Sequence, residues 1–375
     1  MRLLEPVGPV AMRVAAVGDV AMLARVRARA RRDGFDAPLA ALAPALRGAD
    51  WAFANLEFPV ADAGWVRPGR AAEFHHDPEL PAALARSGVR VVSLANNHLM
   101  DCGERGLIRT LETCRAAGLE AIGAGLDLEK ARRPASFESG GRRVKVLAYA
   151  TPSEDAATLS RAGFAPLEES VVRADIERWR GESDVLVVSA HWGSMYVDFP
   201  PPRVIEWAER LEGWGADLVL GHHPHVMQGF RRRGRMLTLF SLGDAAFDPA
   251  SGDFEATVAS ASRRESAVFT ALIADQPGLD CAPLALDEDG VPAIPPAAVG
   301  EAIAARLRRL SAGLDDAGAR FAEESAPQLL RYELQSLGTY LRQRRFGRVA
   351  RLLGSVRPRH LPLLWSALRH MGRST

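Results

Sequence analysis

A chain of 375 residues, 47% hydrophobic and 25% charged, has the make-up of an ordinary soluble globular protein with room for one large domain or two. A formal net charge of +1 gives no electrostatic ground for nucleic-acid binding. Three widely spaced cysteines, Cys102, Cys114 and Cys281, form neither a disulfide framework nor a zinc pattern, which fits a reducing compartment.

The first dozen residues hold no apolar run of signal-peptide length, because Glu5, Pro6 and Arg13 interrupt it. No stretch is long enough to span a membrane. The expectation is a cytoplasmic protein. Val14–Val20 reads as a short apolar strand ending in Gly18-Asp19, and residues 35–46 as a helix with Asp36 as its cap before Pro38. A second strand over 50–59 ends in Asn55 and Glu57. A short helix over 78–87 leads to the strand 89–95, whose tip carries Asn96, Asn97, His98 and Asp101 before a helical segment at 103–117.

Strands at 120–124 and 144–150 flank a Gly140-Gly141 turn; 151–170 is loop-like and 171–180 helical. The run 184–193 is a buried strand delivering His191, followed by a proline-rich turn and a helix over 204–214. The next strand, 216–225, ends in His222, His223 and His225. Residues 226–230 and 236–240 form a hairpin whose arginine-rich turn reads as a solvated loop. Ser241 to Asp248, with Asp244, and a strand at 267–274 follow. Prolines between 283 and 296 mark a change to a helical, Leu/Arg-rich region. This divides the chain into a domain over 12–282 and a helical extension over 296–375.

Polar groups therefore recur at one structural position, the carboxyl ends of strands, where open α/β sheets place ligand chemistry. Each alone has a dull explanation. Together, carboxylate, amide oxygen and imidazole make a mixed set suited to a hard or borderline divalent ion. In an extended chain the period-two spacing of His223 and His225 turns both imidazoles the same way, so that His222 points elsewhere or supports the ligands from behind.

Gly18-Asp19, Asn55-Leu-Glu57, Ser93 to His98 with Asp101 and Gly103, His191-Trp-Gly193, Gly221 to His225 and Ser241-Leu-Gly243 resemble, in order and spacing, the bacterial CapA (poly-γ-glutamate capsule synthesis) family of the calcineurin-like superfamily. The resemblance implies a four-layer α/β/β/α sandwich with a helical C-terminal extension. It also implies a metal site of Asp19, Glu57, Asn97, His191, His223 and His225. His98 becomes an acid/base histidine oriented by Asp101, with Asp19, His191 and His225 also in catalytic roles. Asn55, Asn96, Trp192, His222 and Asp244 are expected to support the site or the substrate, with Trp192 as a pocket wall. Asp19-Val-Ala21 lacks the histidine of the superfamily's usual Asp-x-His, and Glu57 stands where a bridging aspartate is usual. One ion, Ca2+, Mg2+ or Mn2+, is therefore expected rather than two.

For the reaction, the leading expectation is a metal-dependent peptide epimerase, working by His/Asp acid–base chemistry at the Cα of a C-terminal residue, as in the lasso-peptide branch that the chain is similar to. The alternatives are a phosphoesterase or amide hydrolase, a poly-γ-glutamate capsule factor, and a non-catalytic binding protein with a vestigial site. A peptide substrate, no nucleic acid, no membrane, and a homodimer through the C-terminal helices complete the expectations.

Overall fold

The computed structural model describes residues 1–248 and 264–342. Within them the apolar runs pair into two main sheets. The larger has the order Arg2–Leu4, Gly278–Leu286, Glu265–Ile273, Met12–Ala21, Trp51–Leu56, Val89–Ser93, Glu120–Ile122. Asp244–Phe247 also pairs with Met12–Ala21, and Pro292–Ala293 with Gly278–Leu286. The second sheet has the order Phe230–Arg233, Met236–Leu239, Leu218–His222, Val185–His191, Arg142–Ala150, Ala135–Ser139.

The strand Val185–His191 shows why the sheets stack. Every residue in it is buried. Val185 and Val187 join the cluster that holds Val14, Phe53 and Val91 of the larger sheet, whereas Leu186 and Val188 join Val172, Ile176 and Leu211 of the helices outside. Alternate side chains thus serve opposite layers, as a strand's period of two requires. Helices Ala24–Asp33, Leu80–Ser87 and Gly103–Ala116 cover the outer face of the larger sheet through Val26, Leu84 and Leu107. Glu169–Arg180 and Pro202–Trp214 cover the other. These layers make up the expected α/β/β/α sandwich.

Some elements differ from expectation. The region 35–46 is broken into a 3₁₀ turn, Ala37–Leu39, and a short helix, Ala43–Arg47, with Pro38 and Pro44 each at an opening position. The helix Ala24–Asp33 was hidden in the sequence by its arginines, since only Val26, Arg27 and Ala30 are buried. The larger sheet also runs past residue 282 to Leu286 and Pro292–Ala293, and takes in Arg2–Leu4.

From Pro296 on, the described chain is helical. Ala297–Ala312 packs on the core through Ile303 and Leu307, and Ser311 Oγ accepts from Phe230 N at 2.9 Å. Ala326–Arg342 is a further helix. The dimer surface expected at Tyr332 to Trp365 falls mostly outside the described residues. Among the described residues no helix is long and apolar enough to cross a membrane.

Candidate metal centre

In each sheet the central strands run parallel, so their carboxyl ends meet at one edge. The register places Asp19 beside Asn55 in the larger sheet and His191 beside His222 in the smaller. Gly18 makes the first of these placements possible. A Cβ there would lie 1.8 Å from Gly243 O, and that same close approach lets Asp19 N donate to Gly243 O at 2.9 Å.

Asp19 is fully buried and receives three donors. Asn55 Nδ2 donates to Oδ1 at 2.8 Å, His222 Nδ1 lies 3.1 Å from the same oxygen, and His223 N donates to Oδ2 at 3.2 Å. Burial works against ionisation of Asp19. The His222 hydrogen bond and the charges of His222, His225 and His191 outweigh it and hold the carboxyl below its ordinary range. Glu57, placed by its N–H to Val20 O at 3.2 Å, is pushed well above the usual carboxylate range, first by burial and then by Asp19 and Asp244.

Asp19, Glu57 and His225 each offer a ligand atom within 4.8 Å of the others. His225 Nε2 stands 3.5 Å from Glu57 Oε1, and its Nδ1 lies 2.8 Å from Asp244 Oδ1 and 3.6 Å from Asp19 Oδ2. Burial favours the neutral ring, but Glu57 and Asp244 lift His225 to about 9. The remaining expected ligands form an adjacent set. Asn97 Oδ1 is 2.8 Å from His191 Nε2, and the rings of His191 and His223 lie 4.9 Å apart. Burial and His223 drive His191 well down, and burial and His225 lower His223 to about 3. The structure thus draws three of the six expected ligands into one tight group and leaves Asn97, His191 and His223 beside it.

Whether these groups fit a cation is answered by their orphaned atoms. Among the described residues, both oxygens of Glu57, Asn55 Oδ1, His191 Nδ1, His222 Nε2 and His223 Nδ1 have no hydrogen-bond partner. Buried polar atoms without partners are costly and rare. Here they concentrate where carboxylates outnumber the one imidazole lifted toward the protonated form. A divalent ion satisfies that arrangement, and oxygen plus imidazole is the donor set of a hard or borderline metal.

His223 and His225 do not reach the site along an extended chain. The strand ends at His222, and His223 and His225 have φ of 97° and 54°, a left-handed backbone that non-glycine residues adopt at a cost. His222 takes the supporting place expected as one of its two alternatives, with Nδ1 against Asp19 Oδ1. Trp192 is a clear correction. It is buried, donates Nε1–H to Phe240 O at 3.0 Å and packs in the helix-side cluster, because strand alternation sends it opposite to His191. Two aromatic rings lie against His225 instead, Phe247 at 4.9 Å and Tyr196 at 5.8 Å between ring centroids.

His98 and Asp101 form the expected pair, with Nδ1 2.7 Å from Oδ2. Asn96 builds the turn that presents it: Oδ1 accepts from His98 N at 3.1 Å and Nδ2 donates to Leu56 O at 2.9 Å. Phe58 and Phe74 flank the imidazole at 4.4 and 5.1 Å between centroids. These two were missed in the sequence, although Phe58 directly follows Glu57. Asp19, Asn55 and Glu57 make a buried floor, while Asn97, Tyr196 and His223 are half-buried at the rim.

The model of the family described as "Bacterial capsule synthesis protein PGA_cap" matches residues 13–249, which include every one of these site residues. The chain belongs to that family. The capsule biosynthesis protein CapA of Bacillus anthracis is 30% identical over 241 residues, 62% of this chain and 59% of that protein. A probable polyglutamine synthesis accessory protein of Mycobacterium tuberculosis is 32% identical over 210 residues, 52% of this chain and 54% of its own. The chain thus spans under two thirds of the length of these PGA_cap relatives. A solved phosphatase from Mycoplasma pneumoniae overlaps 73% of this chain and 93% of its own at 12% identity, with a TM-score of 0.46, a loose likeness without functional weight.

Proposed function

We propose that this PGA_cap protein is a metal-dependent hydrolase that cleaves γ-glutamyl amide bonds of an acidic capsule-type polymer. The observation that carries the reading is the tight, buried Asp19–Glu57–His225 group next to a separate His98–Asp101 pair. Asp19, Glu57 and His225 hold one divalent ion, with Asn97, His191 and His223 at hand around it. Such an ion supplies positive charge that polarises a carbonyl and makes bound water a better nucleophile.

The protein's own groups do the rest. Asp244 keeps His225 turned by accepting at Nδ1. His98 carries the proton to the leaving amine from Nε2, while Asp101 accepts Nδ1–H and steadies the imidazolium. Capsule relatives lend the substrate class: the Bacillus anthracis and Mycobacterium tuberculosis proteins are named for capsule biosynthesis and polyglutamine synthesis. An acidic polymer also suits Arg203, near enough to His223 to lower its proton affinity.

A second reading, peptide epimerisation, has one observation in its favour. Two imidazole–carboxylate pairs, His98–Asp101 and His225–Asp244, stand at one site, as removal and return of a Cα proton require. A single experiment separates the two. Incubating the Mn2+-loaded protein with poly-γ-glutamate, and with candidate peptides in D2O, should give shorter polymer chains and no deuterium at Cα. Deuterium uptake without bond cleavage would reverse the order, and neither outcome would remove both readings.

A further inference from the structure

We propose that Arg70 is a positioning residue for His98, acting through Asp101. The inference rests on the role assigned to His98 above, but its decisive readout needs no activity.

Phe58 and Phe74 fix the plane of the His98 ring. They do not distinguish the ring from its flipped form, because a half-turn about the ring axis exchanges nitrogen and carbon edges of the same shape. Among the described residues, the contact of Nδ1 with Asp101 Oδ2 at 2.7 Å is what breaks that symmetry. It selects the tautomer with hydrogen on Nδ1 and leaves Nε2 as the nitrogen that gives or takes a proton.

Something must then fix Asp101, whose side chain is fully buried. Its backbone is pinned on both sides: the N–H donates to His98 O at 2.9 Å, and the carbonyl accepts from Arg67 N at 2.8 Å. Its second oxygen, Oδ1, faces Arg70 Nε at 2.9 Å, an ion pair without the alignment of a hydrogen bond. Arg70 thus places a positive charge on one carboxylate oxygen and leaves the other to the imidazole.

Arg70 is itself anchored. Its Nη2 reaches Asp155 Oδ2 at 3.4 Å, and Arg67 grips both oxygens of Asp155 at 2.8 and 2.7 Å. Asp155 lies in the loop that leaves the second sheet after Ala150. The chain Asp155–Arg70–Asp101–His98 therefore ties the acid/base histidine to both halves of the sandwich. Without Arg70, Asp101 is a buried carboxylate lacking its cation, free to rotate or to take up a proton. Either change releases Nδ1.

The test is 15N NMR of the ring nitrogens in full-length, metal-free protein at alkaline pH, with the His98 signals identified by their loss in His98→Gln. Wild type should show His98 as the Nδ1–H tautomer alone. Arg70→Gln should give a mixture of both tautomers, and Arg70→Lys should recover part of the wild-type signature. Arg67→Gln, which cuts the grip on Asp155 but leaves Arg70 on Asp101, should leave the tautomer unchanged. If wild type cleaves the polymer, Arg70→Gln should lower kcat roughly 10-fold with KM unchanged. A pure Nδ1–H signal in Arg70→Gln overturns the inference. A tautomer change in Arg70→Gln together with an inactive wild type sinks the hydrolase reading and leaves the role of Arg70 standing.

Discussion

Asp244 Oδ1 lies 2.8 Å from His225 Nδ1, and the strand register sets Asp244 directly beside Asp19. One carboxylate therefore turns the imidazole whose other nitrogen meets Glu57. Asp244→Ala should weaken divalent-ion binding by roughly 10–100-fold, and Asp244→Asn, whose amide oxygen still accepts at Nδ1, by less. Calorimetric titration of Mn2+ into the three proteins measures this. Equal affinities would show that Asp244 does not orient the site.

Glu57 is buried with no hydrogen-bond partner on either oxygen among the described residues, and burial raises its proton affinity well above normal. It is a stability cost that a bound cation removes. In EDTA, Glu57→Gln should have a Tm equal to or above that of wild type. With excess Mn2+ the order should invert, because wild type gains stability by binding and the variant does not. A Glu57→Gln variant that is less stable without metal would mean that Glu57 has a purely structural role.

Gly18 faces Gly243 O so closely that any side chain must push the two strands apart. Gly18→Ala should destabilise the fold by about 3 kcal/mol or more and abolish metal binding, since Asp19 moves with the strand. Urea unfolding and the Mn2+ titration check both. Wild-type stability in this variant would contradict the register of Asp244–Phe247 on Met12–Ala21.

His76 lies well apart in sequence from the candidate metal ligands and reports on pH. It is fully buried, and burial, with Arg27 behind it, lowers it from 6.5 to about 3. Between those values the unfolded chain holds the proton and the folded chain does not, so stability falls as pH drops from about 6.5 towards 3 and levels off below. From pH 6.5 to 5 this single group contributes a loss of about 2 kcal/mol. Urea unfolding in EDTA at pH 7 and pH 5 should show a smaller loss for His76→Asn than for wild type. The same loss in both would place the pH dependence elsewhere.

The sequence made the parallel strands and their polar tips legible because those strands are apolar throughout and end abruptly. Val185–His191 is a plain case, and Glu57 directly follows the buried strand Trp51–Leu56. Elements that depend on partners were harder to see. Ala24–Asp33 shows the core only two small apolar residues and an arginine, and Gly278–Leu286 contains Pro283, which reads as a break until its neighbouring strands are known. At the site, the period-two reading of His223 and His225 failed because both residues have left-handed backbone, which breaks the alternation of an extended chain. Arg70 and Phe74 gave no signal at all, since only folding brings the loop between Pro59 and His76 against His98.

The central claim is that one divalent ion sits among Asp19, Glu57 and His225. Anomalous diffraction from crystals grown with Mn2+ tests it most directly. The account predicts a single strong peak within coordination distance of all three side chains. No peak there, or one held by His191 and His223 without Glu57, would contradict it.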